Sequence, residues 1–194
     1  KEWLADEIVE RCLYVPQNGL MLGKMSGTRY ASQYYLSNVL YDANTLDKIA
    51  VEAIWQIEAA GLNIEKIQIC GREWSSIPII TALNAYIDGA FMIRRERKNY
   101  GRHNYIEGIP SNKPVLIVDD LCNSTNSFHH CKQVLDSEGL ETVPFIFAVL
   151  NKYRSKDEGF EYDRYLGPSH KALSIVTGDD IDAAKRRRKN ETSN

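Results

Sequence analysis

Residues 115–127, Val-Leu-Ile-Val-Asp-Asp-Leu-Cys-Asn-Ser-Thr-Asn-Ser, constrain this chain more than any other stretch. Val115 to Val118 are apolar and mostly β-branched, and read as a strand buried on both faces. Two carboxylates, Asp119 and Asp120, stand at its carboxyl end, where open α/β sheets bind ligands. Hydroxyl and amide side chains follow, then a segment of helical period from about Ser127 to Ser137. A loop entering a helix N-terminus offers backbone N–H groups and a positive dipole end to a phosphate. The adjacent acids can accept hydrogen bonds from ribose hydroxyls, or hold a hydrated Mg²⁺ that phosphates share. The expected ligand is a phosphorylated sugar. The plainer alternative is a buried strand followed by an Asp/Asn/Ser turn, which any α/β protein can contain.

Three other segments carry related chemistry. Residues 91–108 run Phe-Met-Ile-Arg-Arg-Glu-Arg-Lys-Asn-Tyr-Gly-Arg-His-Asn-Tyr-Ile-Glu-Gly, a short apolar strand and then a basic loop. Five basic residues and one acid lie between Arg94 and Arg102. Taken alone, such a run is a solvated surface loop or a nucleic-acid contact. Closed over a leaving group, it stabilises negative charge that develops only in the transition state. Residues 67–86 read as strand, turn and helix, with Gly71, Arg72, Ser75, Ser76, Ile77 and Pro78 at the turn. Near the amino end, Lys24-Met25-Ser26-Gly27-Thr28-Arg29 precedes Tyr34 and Tyr35, and Ser26-Gly27 by itself is an ordinary turn.

In this order and spacing the four segments resemble type I phosphoribosyltransferases, and orotate phosphoribosyltransferase most of all. Residues 115–127 resemble the family's phosphoribosyl-pyrophosphate loop, with Thr125 and Asn126 where one or two glycines are usual. Glycine takes positive φ freely and lets the backbone approach a phosphate. Asn126 tolerates that region better than β-branched Thr125. Residues 91–108 are similar to the strand and mobile catalytic loop, approximately Arg-Lys-Glu-x-Lys-Asp-His-Gly. Arg94, Glu96, Lys98 and Gly101 match, and so do Glu107 and Gly108 further on. Arg95 replaces a lysine, Asn99 an aspartate and Tyr100 a histidine. Neither Asn99 nor neutral Tyr100 is an ordinary proton shuttle near neutral pH; His103 stands three residues on. Gly71, Ile77 and Pro78 match the pyrophosphate loop, where Ser75 and Ser76 occupy positions often held by Lys and Gly. The Lys24 segment is similar to the hood motif Leu-Lys-Ser-Gly-x-x-Ser-x-Tyr, with its lysine displaced by one position. Asn151-Lys152 stands where the orotate enzymes resemble Asp-Arg.

The resemblance implies an α/β fold in which a five-stranded parallel sheet lies between helices, with a small hood from N- and C-terminal segments. It implies Mg²⁺-dependent binding of phosphoribosyl pyrophosphate or a nucleotide, and transfer of phosphoribose between pyrophosphate and a nitrogenous base. Asp119 and Asp120 would hold the ribose and the oxocarbenium charge, and Mg²⁺ through ligand or water. Lys98 and Arg95 would serve catalysis beside them. Asn123, Ser124, Thr125, Asn126 and Ser127 would hold the 5′-phosphate; Arg94, Arg72 and Ser75 would receive pyrophosphate. Lys24, Ser26, Tyr34 and Lys152 would form the base site under the hood. A homodimer is implied, because in orotate enzymes the basic loop completes the neighbouring subunit's site. Substitutions in all four segments leave a second class open: an impaired relative that senses nucleotides, serves as a regulatory subunit, or acts as a defence or toxin-system effector.

Composition agrees with one such domain. The 194 residues suit a single core, and 43% hydrophobic with 26% charged residues is ordinary for a soluble globular protein. A net charge of −2 gives no global attraction to nucleic acid. Cys12, Cys70, Cys122 and Cys131 lack metal-ligand spacing and suggest reduced thiols in a cytoplasm. Neither a membrane span nor a signal peptide is visible, although a chain beginning at Lys1 leaves preceding residues open.

Strand–helix alternation favours a parallel sheet. Residues 3–14 read as an amphipathic helix burying Trp3, Ile8, Cys12 and Leu13. Asn44 or Thr45 is expected to cap a helix running to about Ala60 and closed by Gly61. Strands are expected at 66–70, 89–93, 115–119 and 143–150, with Pro144 marking an irregular start or an edge. Residues 1–180 form the expected domain, with the hood at about 15–40 and 150–176 and short strands at 165–176 returning to it. Residues 181–194, with Lys185-Arg186-Arg187-Arg188-Lys189, are expected to be a flexible tail or frayed helix end, a possible contact for nucleic acid or a protein partner.

Overall fold

The computed structural model describes residues 1–17, 32–98, 104–123, 125–152 and 171–191, together with the backbone of 21–22 and 29–30. Its centre is a six-stranded sheet. In chain order the strands are β5 (Gln68–Arg72), β6 (Ala90–Ile93), β7 (Ile106–Glu107), β8 (Val115–Cys122), β9 (Thr142–Asn151) and β10 (Lys171–Thr177). Their spatial order is β10-β9-β8-β5-β6-β7. The first five of these are mutually parallel, as expected, and β7 adds an antiparallel edge against β6. β8 is an inner strand, and its residues Val115 to Val118 are at most 2% exposed. That burial on both faces is what an unbroken apolar run requires.

Helices cover both faces. On one side lie α1 (Glu2–Glu7, continued by a π-helical turn Ile8–Cys12), α2 (Ser37–Leu40), α3 (Ala43–Ala59), α4 (Ile77–Leu83) and α6 (Gly178–Glu191). Their apolar residues pack with Leu116, Val118, Phe147, Val149 and Val176 of the sheet. On the other side α5 (Asn126–Ser137) packs Phe128, Cys131, Val134 and Leu135 against Cys70, Ile117 and Ile146. Short strands β1 (Leu13–Tyr14) and β4 (Gln33–Tyr34) pair antiparallel, as do β2 (Met21–Leu22) and β3 (Arg29–Tyr30).

Several local expectations are corrected. α3 is capped by Asp42, not Asn44 or Thr45: the Thr45 N–H donates to Asp42 Oδ1 at 2.9 Å. From the N-cap position a carboxylate accepts the N–H of the third helical residue, one of the four that have no intrahelical acceptor. In the first helix the inward positions are Leu4, Ala5, Ile8 and Cys12, while Trp3 and Leu13 are only partly covered. Residues 171–177 do not return to the hood; they form an edge strand pairing Val176 with Leu150. The apolar pair Ile175 and Val176 is buried there, at most 1% exposed. Pro144 falls as expected in an irregular start to β9. Val115 pairs with Thr142 and Ile117 with Ile146, so the bulge takes up the missing N–H.

The basic segment after residue 180 is a helix through Glu191, not a flexible tail. Ile181 and Ala184 are buried one turn apart, and Asp180 Oδ2 accepts the Thr177 N–H at 2.9 Å. Asp179 and Asp180 stand in its first turn, and Arg188 and Lys189 in its last, as the helix dipole favours. Arg187 donates to Asp6 at 2.7 Å, and Arg188 lies 3.7 Å from Glu10. Much of the basic run is thereby engaged with α1 and the turn that follows it.

Candidate functional site

The carboxyl ends of β5, β6 and β8 lie side by side because these strands are parallel neighbours. β8 delivers Asp119 at 4% exposure and Asp120 half-buried. Asp119 Oδ1 accepts the Asp120 N–H at 2.9 Å and the Ser75 hydroxyl at 3.3 Å, and Ser127 also hydrogen-bonds it. Asp120 Oδ1 accepts the Leu121 N–H at 2.8 Å. Burial, then the charge of Asp120, pushes the Asp119 carboxyl well above the usual carboxylate range. Neither acid is drawn into an ion pair among the described residues.

Beyond β8 the chain turns into α5 through Thr125, whose φ of 54° is left-handed. The strained residue is thus Thr125, and Asn126 is already helical. Among the described residues no side chain caps α5, and its first backbone bond is His129 N–H to Thr125 O at 2.9 Å. The earlier N–H groups of the turn have no intrahelical acceptor. They border a cavity of about 50 Å³ lined by Leu121, Asn123, Thr125, Asn126, Ser127 and Phe128. One water needs roughly 10–15 Å³ on this measure, so the space takes a group of several heavy atoms. Ser124 lies outside the described residues.

The turn after β5 begins at Gly71. A Cβ there would stand 2.6 Å from both Ser76 Oγ and Ile80 Cδ1, so the strand end packs directly against its own turn. The peptide Glu73–Trp74 is cis, and the Ser76 hydroxyl donates to Arg72 O. Arg72 Nε is buried with no hydrogen-bond partner among the described residues, and so is Arg94 Nε at the end of β6. Buried donors of this kind normally find an acceptor. Both sit on the sheet edge that carries Asp119.

Arg94 and Lys98 converge on one acid. Arg94 Nη1 and Lys98 Nζ lie 3.2 and 3.1 Å from Glu107 Oε1, and these cations, Lys98 foremost, hold the Glu107 carboxyl below its usual range. Backbone bonds from Arg94 N–H to Tyr105 O and from Lys98 N–H to Asn104 O make 94–98 and 104–107 two sides of one stem. Glu73 Oε1 accepts the Arg95 N–H at 2.9 Å, and the Arg95 side chain is exposed. His130 Nε2 lies 2.9 Å from Arg94 O. Asn99, Tyr100, Gly101, Arg102 and His103 lie outside the described residues.

The base-site expectation is half described, since Lys24 and Ser26 lie outside the described residues. Tyr34 and Lys152 do meet: Lys152 Nζ is 5.6 Å from the Tyr34 ring centre. The residue that sequence reasoning missed is Lys185 of α6, 5.7 Å from the same ring and donating to the Tyr34 hydroxyl at 3.1 Å. Glu107 and His130 were likewise not assigned to the site; only the retained position of Glu107 hinted at it. Among the described residues no cluster of three acidic, histidine or cysteine side chains surrounds a metal position.

No family model matches the chain. It is 28% identical over 136 residues to the orotate phosphoribosyltransferase of Pyrococcus abyssi, covering 69% of this chain and 74% of that protein. The crystal structure of orotate phosphoribosyltransferase from Aeropyrum pernix superposes with a TM-score of 0.70 at 17% identity, covering 92% of this chain and 96% of that one. The Mycobacterium tuberculosis H37Rv orotate phosphoribosyltransferase in complex with 5-phospho-alpha-D-ribosyl 1-diphosphate gives 0.62 at 17% identity, covering 93% and 90%. Parallel sheet, strand-end acids and the loop entering α5 agree with these likenesses: the chain has the fold of the type I phosphoribosyltransferases, and its sequence is similar to those of orotate phosphoribosyltransferases.

Proposed function

We propose that this protein binds phosphoribosyl pyrophosphate with Mg²⁺ and transfers phosphoribose between pyrophosphate and a nitrogenous base. One observation carries the reading. Two buried guanidinium Nε atoms without partners among the described residues, Arg72 and Arg94, border the sheet edge that also holds Asp119, Asp120 and the cavity at the start of α5. Such a site offers donors to two separate phosphate groups and acceptors to the sugar between them. The M. tuberculosis relative in complex with phosphoribosyl diphosphate has the same fold.

In this reading Asn123, Ser124, Thr125, Asn126, Ser127 and the first N–H groups of α5 hold the 5′-phosphate. Asp119 and Asp120 accept the ribose hydroxyls, and their negative charge favours the oxocarbenium-like sugar as its bond to pyrophosphate breaks. Arg72, Arg94 and Ser75 receive the leaving pyrophosphate, with Lys98 and Arg95 on the loop that closes over it. The Lys98 and Arg94 contacts with Glu107 keep those cations gathered at the stem.

Mg²⁺ is compatible with these residues. It is commonly held by one or two carboxylates together with substrate oxygens and waters, and Asp119 and Asp120 supply that number without a closed protein cage. When bound it would neutralise pyrophosphate charge. Lys24, Ser26, Tyr34 and Lys152 hold the base. A homodimer follows if the basic loop serves a neighbouring site, as in orotate enzymes. Four buried cysteines outside any disulfide suit a reducing compartment such as the cytoplasm, and no helix among the described residues is long and apolar enough to cross a membrane.

The test is calorimetric titration with phosphoribosyl pyrophosphate, with and without Mg²⁺, followed by a pyrophosphate-release assay across a panel of bases. Mg²⁺-dependent binding and release with at least one base is the expected result. Absence of binding refutes the assignment.

A further inference from the structure

β6 ends at Ile93, so the peptide joining Arg94 to Arg95 lies just outside the sheet, where the basic loop begins. Side chains grip that peptide at both of its polar ends. Its carbonyl, Arg94 O, lies 2.9 Å from His130 Nε2 of α5. A carbonyl oxygen only accepts, so Nε2 carries the hydrogen in this contact. Its N–H, on Arg95, donates to Glu73 Oε1 at 2.9 Å. The preceding peptide is held by the main chain, because the Arg94 N–H donates to Tyr105 O at 2.8 Å. Both peptides flanking the Arg94 Cα are therefore bonded. That fixes its two soft backbone dihedrals, and with them the direction in which its side chain leaves the chain.

The two gripping residues come from the two phosphate sites. Glu73 follows Arg72 in the turn after β5, and its own N–H donates to Ile93 O at 3.0 Å, which seats the turn against the end of β6. His130 stands one turn of α5 beyond Asn126, so the two share a helix face. Asn126 lines the cavity assigned to the 5′-phosphate. Helix and turn thus meet at the base of the loop that carries Lys98. The plainer use of His130 is to fill space, since its ring meets that of Tyr105 edge-on with centroids 5.8 Å apart. Filling asks only for shape, whereas the bond to Arg94 O asks for an N–H at that point.

We propose that His130 and Glu73 are positioning residues for pyrophosphate, which aim Arg94 by clamping the Arg94–Arg95 peptide from α5 on one side and the turn after β5 on the other. Neither is asked to touch the ligand. The clamp matters because Arg94 Nη1 is 3.2 Å from Glu107 Oε1 while its Nε is buried without an acceptor among the described residues. The main chain, and not a full set of side-chain bonds, then keeps that guanidinium directed at the site. This rests on the phosphoribosyl reading above and adds the support of its pyrophosphate end.

The experiment is calorimetry on the full chain with pyrophosphate and, separately, with ribose 5-phosphate, Mg²⁺ being present throughout. His130→Leu fills the space without a donor. It should weaken pyrophosphate by about three- to tenfold, the worth of one hydrogen bond, and leave ribose 5-phosphate unchanged. His130→Gln brings an amide N–H to the same carbonyl and should recover most of the loss. At the other end of the peptide, Glu73→Ala and Glu73→Gln lose the same charge, so the difference between them isolates the bond. Glu73→Ala should bind pyrophosphate about three- to tenfold more weakly than Glu73→Gln, which keeps an acceptor oxygen. The Glu73 pair carries the test alone if His130→Leu does not fold. Equal weakening of both ligands, an equal loss in His130→Leu and His130→Gln, or level affinities in the two Glu73 variants would each overturn the clamp while the phosphate sites stand. Failure of the unmodified chain to bind either ligand would overturn both readings.

Discussion

Ser75 donates a hydrogen bond to Asp119 at 3.3 Å and so ties the turn after β5 to the acid at the end of β8. Asp119 is nearly inaccessible, beside a second carboxylate, and its carboxyl is pushed well above the usual range. The folded chain therefore keeps a proton that the unfolded chain releases near pH ~3.9. The associated stability is full below that pH and is lost as pH rises through the raised value. Asp119→Asn keeps the shape and removes the titration. The variant should melt higher than the parent at pH 8 and nearly level with it at pH 4. A gain of about 1 kcal/mol corresponds to roughly 2–4 °C for a chain of this size. Its turnover should be abolished, because asparagine cannot take on the negative charge that a bound cation and the cationic sugar would draw out of the carboxyl. A lower melting temperature at pH 8, or unchanged turnover, would contradict the role given to this acid.

Thr125 is a β-branched residue at φ 54° in the cavity-lining loop. An L-residue there bears about 1–2 kcal/mol of steric cost, and its Cβ limits how closely a phosphate reaches the backbone. Thr125→Gly should tighten ribose 5-phosphate binding several-fold in calorimetry. Weaker binding by the glycine variant would mean that the threonine hydroxyl, and not the backbone, holds the ligand.

These two residues also mark where sequence reasoning succeeds and stops. β8 is legible because four consecutive apolar residues, mostly β-branched, need burial on both faces, although the strand runs on to Cys122 and so holds Asp119 and Asp120 within it and not beyond its end. Which residue of the loop turns left-handed is not legible. Asn126 has the better intrinsic tolerance, yet the chain entering α5 must reverse one residue earlier. Asp42 was missed as the α3 cap because Asn44 and Thr45 are chemically as good, and only helix position separates them. α6 was hidden for a different reason. Its run of five bases masks the Ile181–Ala184 spacing, and its partners Asp6 and Glu10 lie far away in the chain. Lys185 was lost with it.

Glu107 gathers Arg94 and Lys98, the cations assigned to pyrophosphate. A carboxylate on both competes with any incoming anion. Glu107→Gln should therefore lower the KM for pyrophosphate in the reverse reaction and steepen its dependence on salt, as freed cations are screened more readily. The lowered Glu107 carboxyl contributes stability that is present above its ordinary range and lost as pH falls through the depressed value. The variant should accordingly show a flatter acid limb in a melting-temperature profile. A raised pyrophosphate KM would instead make Glu107 a support that the loop needs.

The docking of α6 sets ion pairs against apolar burial, and magnitudes decide between them. Arg187 and Asp6 form a close pair, but both side chains remain well exposed, at 39% and 45%. Exposed pairs contribute roughly 0–1 kcal/mol. Ile181 is 3% exposed within the core shared by α1, α3 and β10, and truncating such a residue to alanine costs about 2–5 kcal/mol. Ile181→Ala should lower the urea midpoint far more than Arg187→Ala, with the slope unchanged in each. Because α6 also carries Lys185 beside Tyr34, Ile181→Ala should additionally weaken nucleotide binding more than ribose 5-phosphate binding. An Arg187→Ala loss equal to that of Ile181→Ala would show that charge, and not the buried face, seats this helix.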